Sequence, residues 1–159
     1  MNIKDKLKVM DEIEAANRQH VEEWKNRRTI KGILIDTVNG SAEVVEIDKD
    51  LDTYYAVLNC RCIDIARRTI GGKAFEIICD DEAALVENPV PSAISSYGSV
   101  MLYGNLFVVR FDGKDDVESL SDEEIAHVKR NLIKYRLRTD KNQKNYTALA
   151  NVGYCGGRF

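Results

Sequence analysis

The sequence predicts an α+β fold: a mostly antiparallel sheet of five or six strands with an N-terminal helix, a short central helix and a capped C-terminal helix. Apolar runs are joined in pairs at Asn39-Gly40 and at Gly71-Gly72, and both dipeptides favour the tight turns of β-hairpins. A third observation is the long apolar run over residues 99–111, SVMLYGNLFVVRF. The 159 residues suffice for one domain with a sizeable core.

Residues 2–28 are predicted to form an amphipathic helix. Its apolar side chains recur with a four-three spacing, although Glu14 and Asn17 interrupt the stripe. This face must be covered, either by the same domain, which we favour, or by a second copy of the chain. Because large apolar patches usually mark interfaces, we expect a homo-oligomer. The apolar positions are Ile3, Leu7, Met10, Val21 and Trp24.

The next segment is predicted to be a hairpin followed by a short helix. Residues 30–38 and 42–47 are expected to pair around the Asn-Gly turn. Asp48 or Asp50 is expected to cap a helix over residues 51–58, since an Asp side chain accepts a hydrogen bond from the first helical turn.

A second hairpin and an acidic turn follow. Residues 60–70 and 73–79 are expected to pair around the Gly-Gly turn. Asp80-Asp81-Glu82 follows and allows three interpretations: metal ligands, catalytic carboxylates or the polar start of a loop. We favour the loop, because Asp side chains bond their own backbone in turns. The Asp-Gly-x-Asp run at 112–115 lacks the spacing of a calcium loop. No catalytic residue, metal ligand or cofactor is predicted.

A ligand site is predicted around the proline-bearing loop over residues 88–97 and the interruption of the apolar run at Gly104-Asn105. Proline lowers the entropy that a loop loses on closing over a ligand, and glycine permits close approach. The interruption is either a bulge or a hairpin turn between segments 100–103 and 106–111. The alternative is that these residues form only a stiff surface loop beside a bulge and bind no ligand. The candidate ligand-binding residues are Asn88, Ser95, Ser96, Tyr97, Gly104 and Asn105.

The C-terminal third is predicted to hold one helix and a polar tail. Ser121 and Glu124 form a capping box, and the helix is expected to run to about Leu137 with Leu132 and Ile133 buried. The tail is rich in Asn and Gly but is expected to dock on the domain or on a second subunit. The predicted organisation is an N-terminal helix (1–28), a single α+β domain (29–137) and a docked tail (138–159).

The segments IGGKAFEIICDDE, ENPVPSA and LYGNLFVVRFD together resemble the domain-of-unknown-function family numbered 3846, small proteins of gut bacteria and their mobile elements. The similarity covers roughly residues 30–135. Its most specific pieces are the acidic turn and the Gly-Asn pair of the apolar run. The resemblance gives no enzymatic activity to carry over to this chain.

Composition excludes several classes of protein. A net charge of −3 argues against nucleic-acid binding, which needs a basic face. No segment reaches the roughly 20 apolar residues that span a bilayer, so no membrane partner is expected. The N-terminal segment carries acids throughout and no apolar signal core, so we expect a cytoplasmic location.

The cysteines and histidines form no recognisable site in the sequence. Cys60, Cys62, Cys79 and Cys155 lack zinc or redox spacing and are expected to be small buried residues in a reducing compartment. His127 is more typical of a structural residue than of a base, because no Ser or Cys partner is identifiable.

Three classes of function remain. The first, which we favour, is a non-catalytic binding protein of a phage or mobile element that counters a host defence by sequestering a nucleotide-like signal or a host protein. The second is a small metal-dependent hydrolase using Asp80-Asp81-Glu82. The third is a structural or assembly role that depends on the N-terminal helix.

Overall fold

The computed structural model describes residues 3–113, 116–138 and 143–155, with the backbone alone for residues 17–28. Within these residues it has three α-helices and one short 3₁₀ turn: α1 (Ile3–Arg28), α2 (Leu51–Leu58), α3 (Asp122–Arg130) and the turn Ala83–Leu85. The strands are β1 (Thr29–Asp36), β2 (Ser41–Asp48), β3 (Ile63–Ile70), β4 (Lys73–Asp80), β5 (Pro91–Ile94), β6 (Val100–Tyr103), β7 (Leu106–Phe111), β8 (Val117–Glu118), β9 (Leu132–Arg136), β10 (Asn145–Leu149) and β11 (Val152–Tyr154).

The larger sheet has the strand order β11-β3-β4-β7-β1-β2, and β8 pairs with the end of β7. Every neighbouring pair in this sheet is antiparallel. The predicted α+β class is therefore confirmed, with its antiparallel sheet and its N-terminal, central and capped C-terminal helices.

Four further strands form a second sheet that the sequence did not predict as a separate layer. Its order is β6-β5-β10-β9, and β10 runs parallel to β5 with Leu149 opposite Ala93. β9 and β10 pair antiparallel over five residue pairs, ending at Leu149 opposite Leu132. The described part of the polar tail thus gives one strand, β10, to the smaller sheet and one, β11, to the larger.

The larger sheet packs against a core on each face, and its central strand β7 is buried on both. On β7, Leu106 and Val108 pack in the core shared with the smaller sheet and α3, whereas Phe107 and Val109 pack in the core shared with α2. All four side chains are fully buried. A strand covered on both faces has no polar alternation, which explains why this run is continuously apolar in the sequence.

Both predicted hairpins are present. Gly71 and Gly72 join β3 to β4 with φ of 56° and 83°, and positive φ at both central positions is the tight turn that glycine favours. The turn between β1 and β2 is held by Asp36, whose Oδ1 accepts from the N–H groups of Val38 and Asn39.

Gly104 and Asn105 mark the point where the chain changes sheet. β6 lies in the smaller sheet and β7 in the larger, so the dipeptide is neither the bulge nor the hairpin turn that the sequence left open. Gly104 has a φ of 76°, and a Cβ there would lie 2.8 Å from the Cβ of Ala83. Glycine satisfies both the conformation and the contact.

The helix caps follow the sequence patterns. Asp50 caps α2, since its Oδ1 accepts from the N–H of Thr53 at 2.8 Å. The capping box of α3 is confirmed: the Ser121 Oγ accepts from the Glu124 N–H at 3.2 Å, and the Glu124 Oε1 accepts from the Ser121 N–H at 3.0 Å.

The predicted C-terminal end of α3 is wrong. The helix ends at Arg130, and Asn131 follows it as the C-cap residue, donating a side-chain N–H to a carbonyl of the last turn. Leu132 and Ile133 lie in β9 and not on a helix reaching Leu137. Pairing with β10, the next strand along the chain, holds this segment extended.

The side chains of α1 over residues 3–16 are exposed, including Leu7 at 56%. The docking of this helix on its own domain, which we favoured from the sequence, is therefore not found over these residues. Val21 and Trp24 lie outside the residues whose side chains are described. None of the described helices combines the length and the apolar character needed to cross a membrane.

Candidate functional site

An open cleft of about 150 Å³ lies where five chain segments meet. These segments are the end of β1, the C-terminus of α2, the end of β4, the loop over 83–90 and the sheet crossing at Gly104. A second open cleft of about 440 Å³ adjoins it, because Asn59, Asp80 and Val86 line both. We call the two together the polar cleft.

Asn105 is buried at the polar cleft and holds two of its segments together. Its Oδ1 accepts from the N–H and from the Oγ1–H of Thr37, at 2.8 and 2.7 Å. Its Nδ2 donates to the carbonyl oxygen of Leu58 at 3.3 Å. The predicted ligand residue thus lines the cleft, where its side chain ties the end of β1 to the end of α2.

Three backbone positions with positive φ line the polar cleft. They are Asn59 (52°), Asn88 (55°) and Gly104 (76°). Asn59 is the left-handed C-cap of α2. A non-glycine residue costs on the order of 1 kcal/mol in this region, although Asn tolerates it better than most. Such conformations cluster at active sites and ligand clamps.

The acidic turn is held by its own hydrogen bonds. The Asp80 Oδ1 accepts from the N–H of Glu82 at 2.9 Å, and the N–H of Asp81 donates to the carbonyl oxygen of Cys62 at 3.0 Å. The Glu82 Oε2 accepts from Arg61 through Nη2 at 2.9 Å and Nε at 3.2 Å. Hydrogen bonding to Arg61 lowers the pKa of the Glu82 carboxyl and raises the pKa of the guanidinium.

The charged side chains that line the polar cleft are two carboxylates, Asp80 and Glu82, and one guanidinium, Arg61. Arg61 already donates to Glu82. Among the described residues that line the cleft, no other cationic side chain is present to bind a phosphate group. A neutral or cationic ligand suits this balance of charge better than an anion does.

No group of three or more His, Cys, Asp or Glu side chains that could hold a metal ion occurs among the described residues. Asp80 and Glu82 instead have the hydrogen bonds of a closed turn. The structural role predicted for this turn is consistent with these bonds, and the test of metal binding is given below.

Ser95, Ser96 and Tyr97 lie elsewhere, at the tip of the β5–β6 hairpin. The Ser95 Oγ accepts from the N–H groups of Tyr97 and Ser99, which closes the turn, and Tyr97 is 96% exposed. The four residues of β6 separate this tip from Gly104 by about 13 Å. The structure therefore brings Asn88, Gly104 and Asn105 together and leaves these three apart.

The cysteines are only partly as expected. Cys79 is buried, and burial raises the pKa of its thiol to about 12. Cys62 is exposed, which corrects the expectation that all four are buried. The pKa of the Cys62 thiol is raised, chiefly by a hydrogen bond to Glu82, so the thiolate is disfavoured.

His127 contacts the carbonyl oxygen of Ile70 through Nε2 at 2.6 Å, which is a structural contact.

Sequence reasoning missed three residues of the polar cleft. Asn59 directly follows the helix predicted over residues 51–58 and was not considered as a binding residue, and neither were Thr37 and Arg61. The signal available for Asn59 was an Asn directly after a predicted helix, a position at which Asn readily adopts the left-handed conformation. Nothing local marks Thr37 or Arg61, because the contacts that they make at the cleft, with Asn105 and with Glu82, join residues distant in the chain.

Comparison with curated proteins and with solved structures gives no match. A family model, described as Domain of unknown function (DUF3846), matches residues 30–133. The matched region includes α2, the acidic turn, the sheet crossing and all the residues named above for the polar cleft. The chain, matched over more than half its length, therefore belongs to the DUF3846 family.

Proposed function

We propose that this protein acts in the cytoplasm as a non-catalytic binding protein and that the polar cleft is its binding site. The observation that supports this most is the convergence of Asn59, Asn88 and Gly104, all with positive φ, on one cleft. Asn59 also serves as the C-cap of α2, whereas the cost of the left-handed conformation at Asn88 is one that a binding role would explain.

The charged side chains that line the polar cleft narrow the choice of ligand. Two occupants were expected from the sequence, a nucleotide-like signal and a host protein. The carboxylates of Asp80 and Glu82 disfavour the first, because they repel the phosphate end of a nucleotide. A nucleoside-like or peptide ligand is supported better. The role in a phage or mobile element, and in countering a host defence, depends on the family resemblance and stays a prediction.

Amide chemical-shift titrations test this proposal with three probe sets: nucleosides, nucleoside 5′-phosphates and a random peptide mixture. We expect at least one set to shift the amides of Val38, Asn88 and Gly104. Asn88→Gly keeps the positive φ while removing the side chain, and should weaken that binding by about tenfold, the loss of one hydrogen bond. Tyr97→Ala is the control outside the cleft. Shifts confined to residues 95–99, or none with any probe set, would refute the proposal.

The hydrolase alternative predicts that the acidic turn binds a divalent cation. We expect no micromolar site for magnesium, manganese or calcium in calorimetric titrations, because Asp80 and Glu82 are engaged within the turn and hard cations need about six oxygens from several segments. A micromolar site abolished by Asp81→Asn would instead support the hydrolase.

A further inference from the structure

An exposed aliphatic rim borders the polar cleft. Val38 and Val86 line the cleft and are exposed, and Leu85, adjacent to Val86 at the end of the 3₁₀ turn, is 81% exposed. Apolar side chains grouped at the mouth of a cleft are typical of a surface that another chain covers. We call these three residues the rim.

The loop that carries this rim is acidic. Residues 80–88, DDEAALVEN, contain four carboxylates and no Lys or Arg. Asp81 and Glu87 are exposed. Glu82 already binds a cation, because the largely exposed Arg61 side chain lies on its carboxylate. The rim and its loop therefore suit a basic segment with aliphatic side chains.

Such a segment is present at the N-terminus of the same chain. The first turns of α1 place Lys4, Lys6 and Lys8 among the aliphatic Ile3 and Leu7. All five side chains are exposed. No linker separates α1 from β1, since one ends at Arg28 and the other begins at Thr29. Both complementary surfaces are therefore open on one copy of the chain.

We propose that residues 3–8 of α1 from one copy dock on the rim and acidic loop of a second copy. The three lysines face the carboxylates at 80–87, and Ile3 and Leu7 cover Leu85 and Val86. Reciprocal docking gives a two-fold dimer in which the same pair of surfaces is used twice. The inference extends the proposed function, because a docked helix encloses a cleft that is open in one copy, and small-molecule sites bury most of their ligand.

Charge reversal with rescue tests this docking by analytical ultracentrifugation. We expect wild type to dimerise. Replacing Lys4, Lys6 and Lys8 by Glu should weaken dimerisation by at least about tenfold, and so should Asp81→Lys with Glu87→Lys, because like charges then face each other. All five positions are exposed, so folding should be retained. Combining the two sets restores opposite charges and should restore the dimer.

Two controls keep this test specific. Leu85→Ser should weaken the dimer, whereas Tyr97→Ser, at an exposed aromatic residue outside the cleft, should not. A monomeric wild type, a dimer indifferent to either charge reversal, or a combined variant that stays monomeric would overturn the docking. If the monomeric lysine variant still shows probe-induced shifts at the cleft, the proposed function stands without the docking. If neither the lysine variant nor wild type shows such shifts, the proposed function falls, whereas the docking is judged by the sedimentation results alone.

Discussion

Asn105 determines the shape of the polar cleft, because its amide joins the end of β1 to the end of α2. In Asn105→Ala, the part-buried donors of Thr37 and the buried carbonyl oxygen of Leu58 lose their partner. We expect the free energy of unfolding to fall by about 1–3 kcal/mol, the cost of unpaired buried polar groups. Urea denaturation followed by circular dichroism measures this. Asn88→Gly, at an exposed site, should change it by less than about 0.5 kcal/mol. Equal effects of the two substitutions would contradict this role for Asn105.

Two tyrosines with contrasting hydroxyl groups, the buried Tyr54 and the half-buried Tyr135, can be compared directly. The Tyr54 hydroxyl is buried with no hydrogen-bond partner among the described residues, whereas the Tyr135 hydroxyl donates to the carbonyl oxygen of Pro91. At neutral pH, Tyr135→Phe should cost about 1 kcal/mol of unfolding free energy. Tyr54→Phe should cost nothing or stabilise, since it removes a desolvated polar group. Thermal and urea unfolding measure both, and the reverse order would disprove the assignment.

The raised pKa values of the same two tyrosines predict that the free energy of unfolding falls at high pH. Burial raises the pKa of Tyr54, and of Tyr135, to about 12, from about 10 in an unfolded chain. Because the folded protein favours the neutral phenol, this stabilisation is complete below pH 10 and is lost as the pH rises toward 12. Tyr54→Phe should flatten the decline in unfolding free energy over this window. An unchanged decline would show that other groups, such as Cys79, cause it.

At the scale of elements, the sequence predicted those parts of the fold that local chemistry specifies. The bounds of α2 follow from the Asp50 cap, and the β3–β4 turn follows from Gly71-Gly72. β10 and β11 escaped prediction because β10 pairs with β5 and β11 with β3, segments that lie far apart in the chain. An Asn-rich tail carries no local strand signal. The α3 helix was extended too far because its continuation forms β9, which pairs with a strand, β10, that the sequence did not predict.

The first helix is the element on which self-association is expected to depend. Deleting residues 1–26 should lower the oligomeric state before it unfolds the core, because the described side chains of residues 3–16 are exposed. Light scattering measures the oligomeric state, and thermal unfolding reports on the core. A monomeric full-length protein at micromolar concentration would contradict this expectation. A truncated chain that is unfolded would show instead that the helix supports the core.

At the scale of the whole molecule, one sheet covered on both faces brings five distant segments to the polar cleft. The sequence identified Asn88, Gly104 and Asn105, because turn residues and an interrupted strand are local signals. It grouped Ser95 to Tyr97 with them because the loop was taken as one unit. The hairpin places that tip about 13 Å away, a separation that only the β5–β6 pairing determines.

The most direct test of the central claim, that the polar cleft is the binding site, is amide hydrogen exchange of the protein in an extract of the cells that produce it. The same protein concentration in buffer is the reference. If the cleft binds its partner, exchange at residues 83–88 should slow in the extract, while residues 96–98 at the exposed hairpin tip should exchange unchanged. Unchanged exchange at residues 83–88, or slowing confined to the hairpin tip, would contradict the claim.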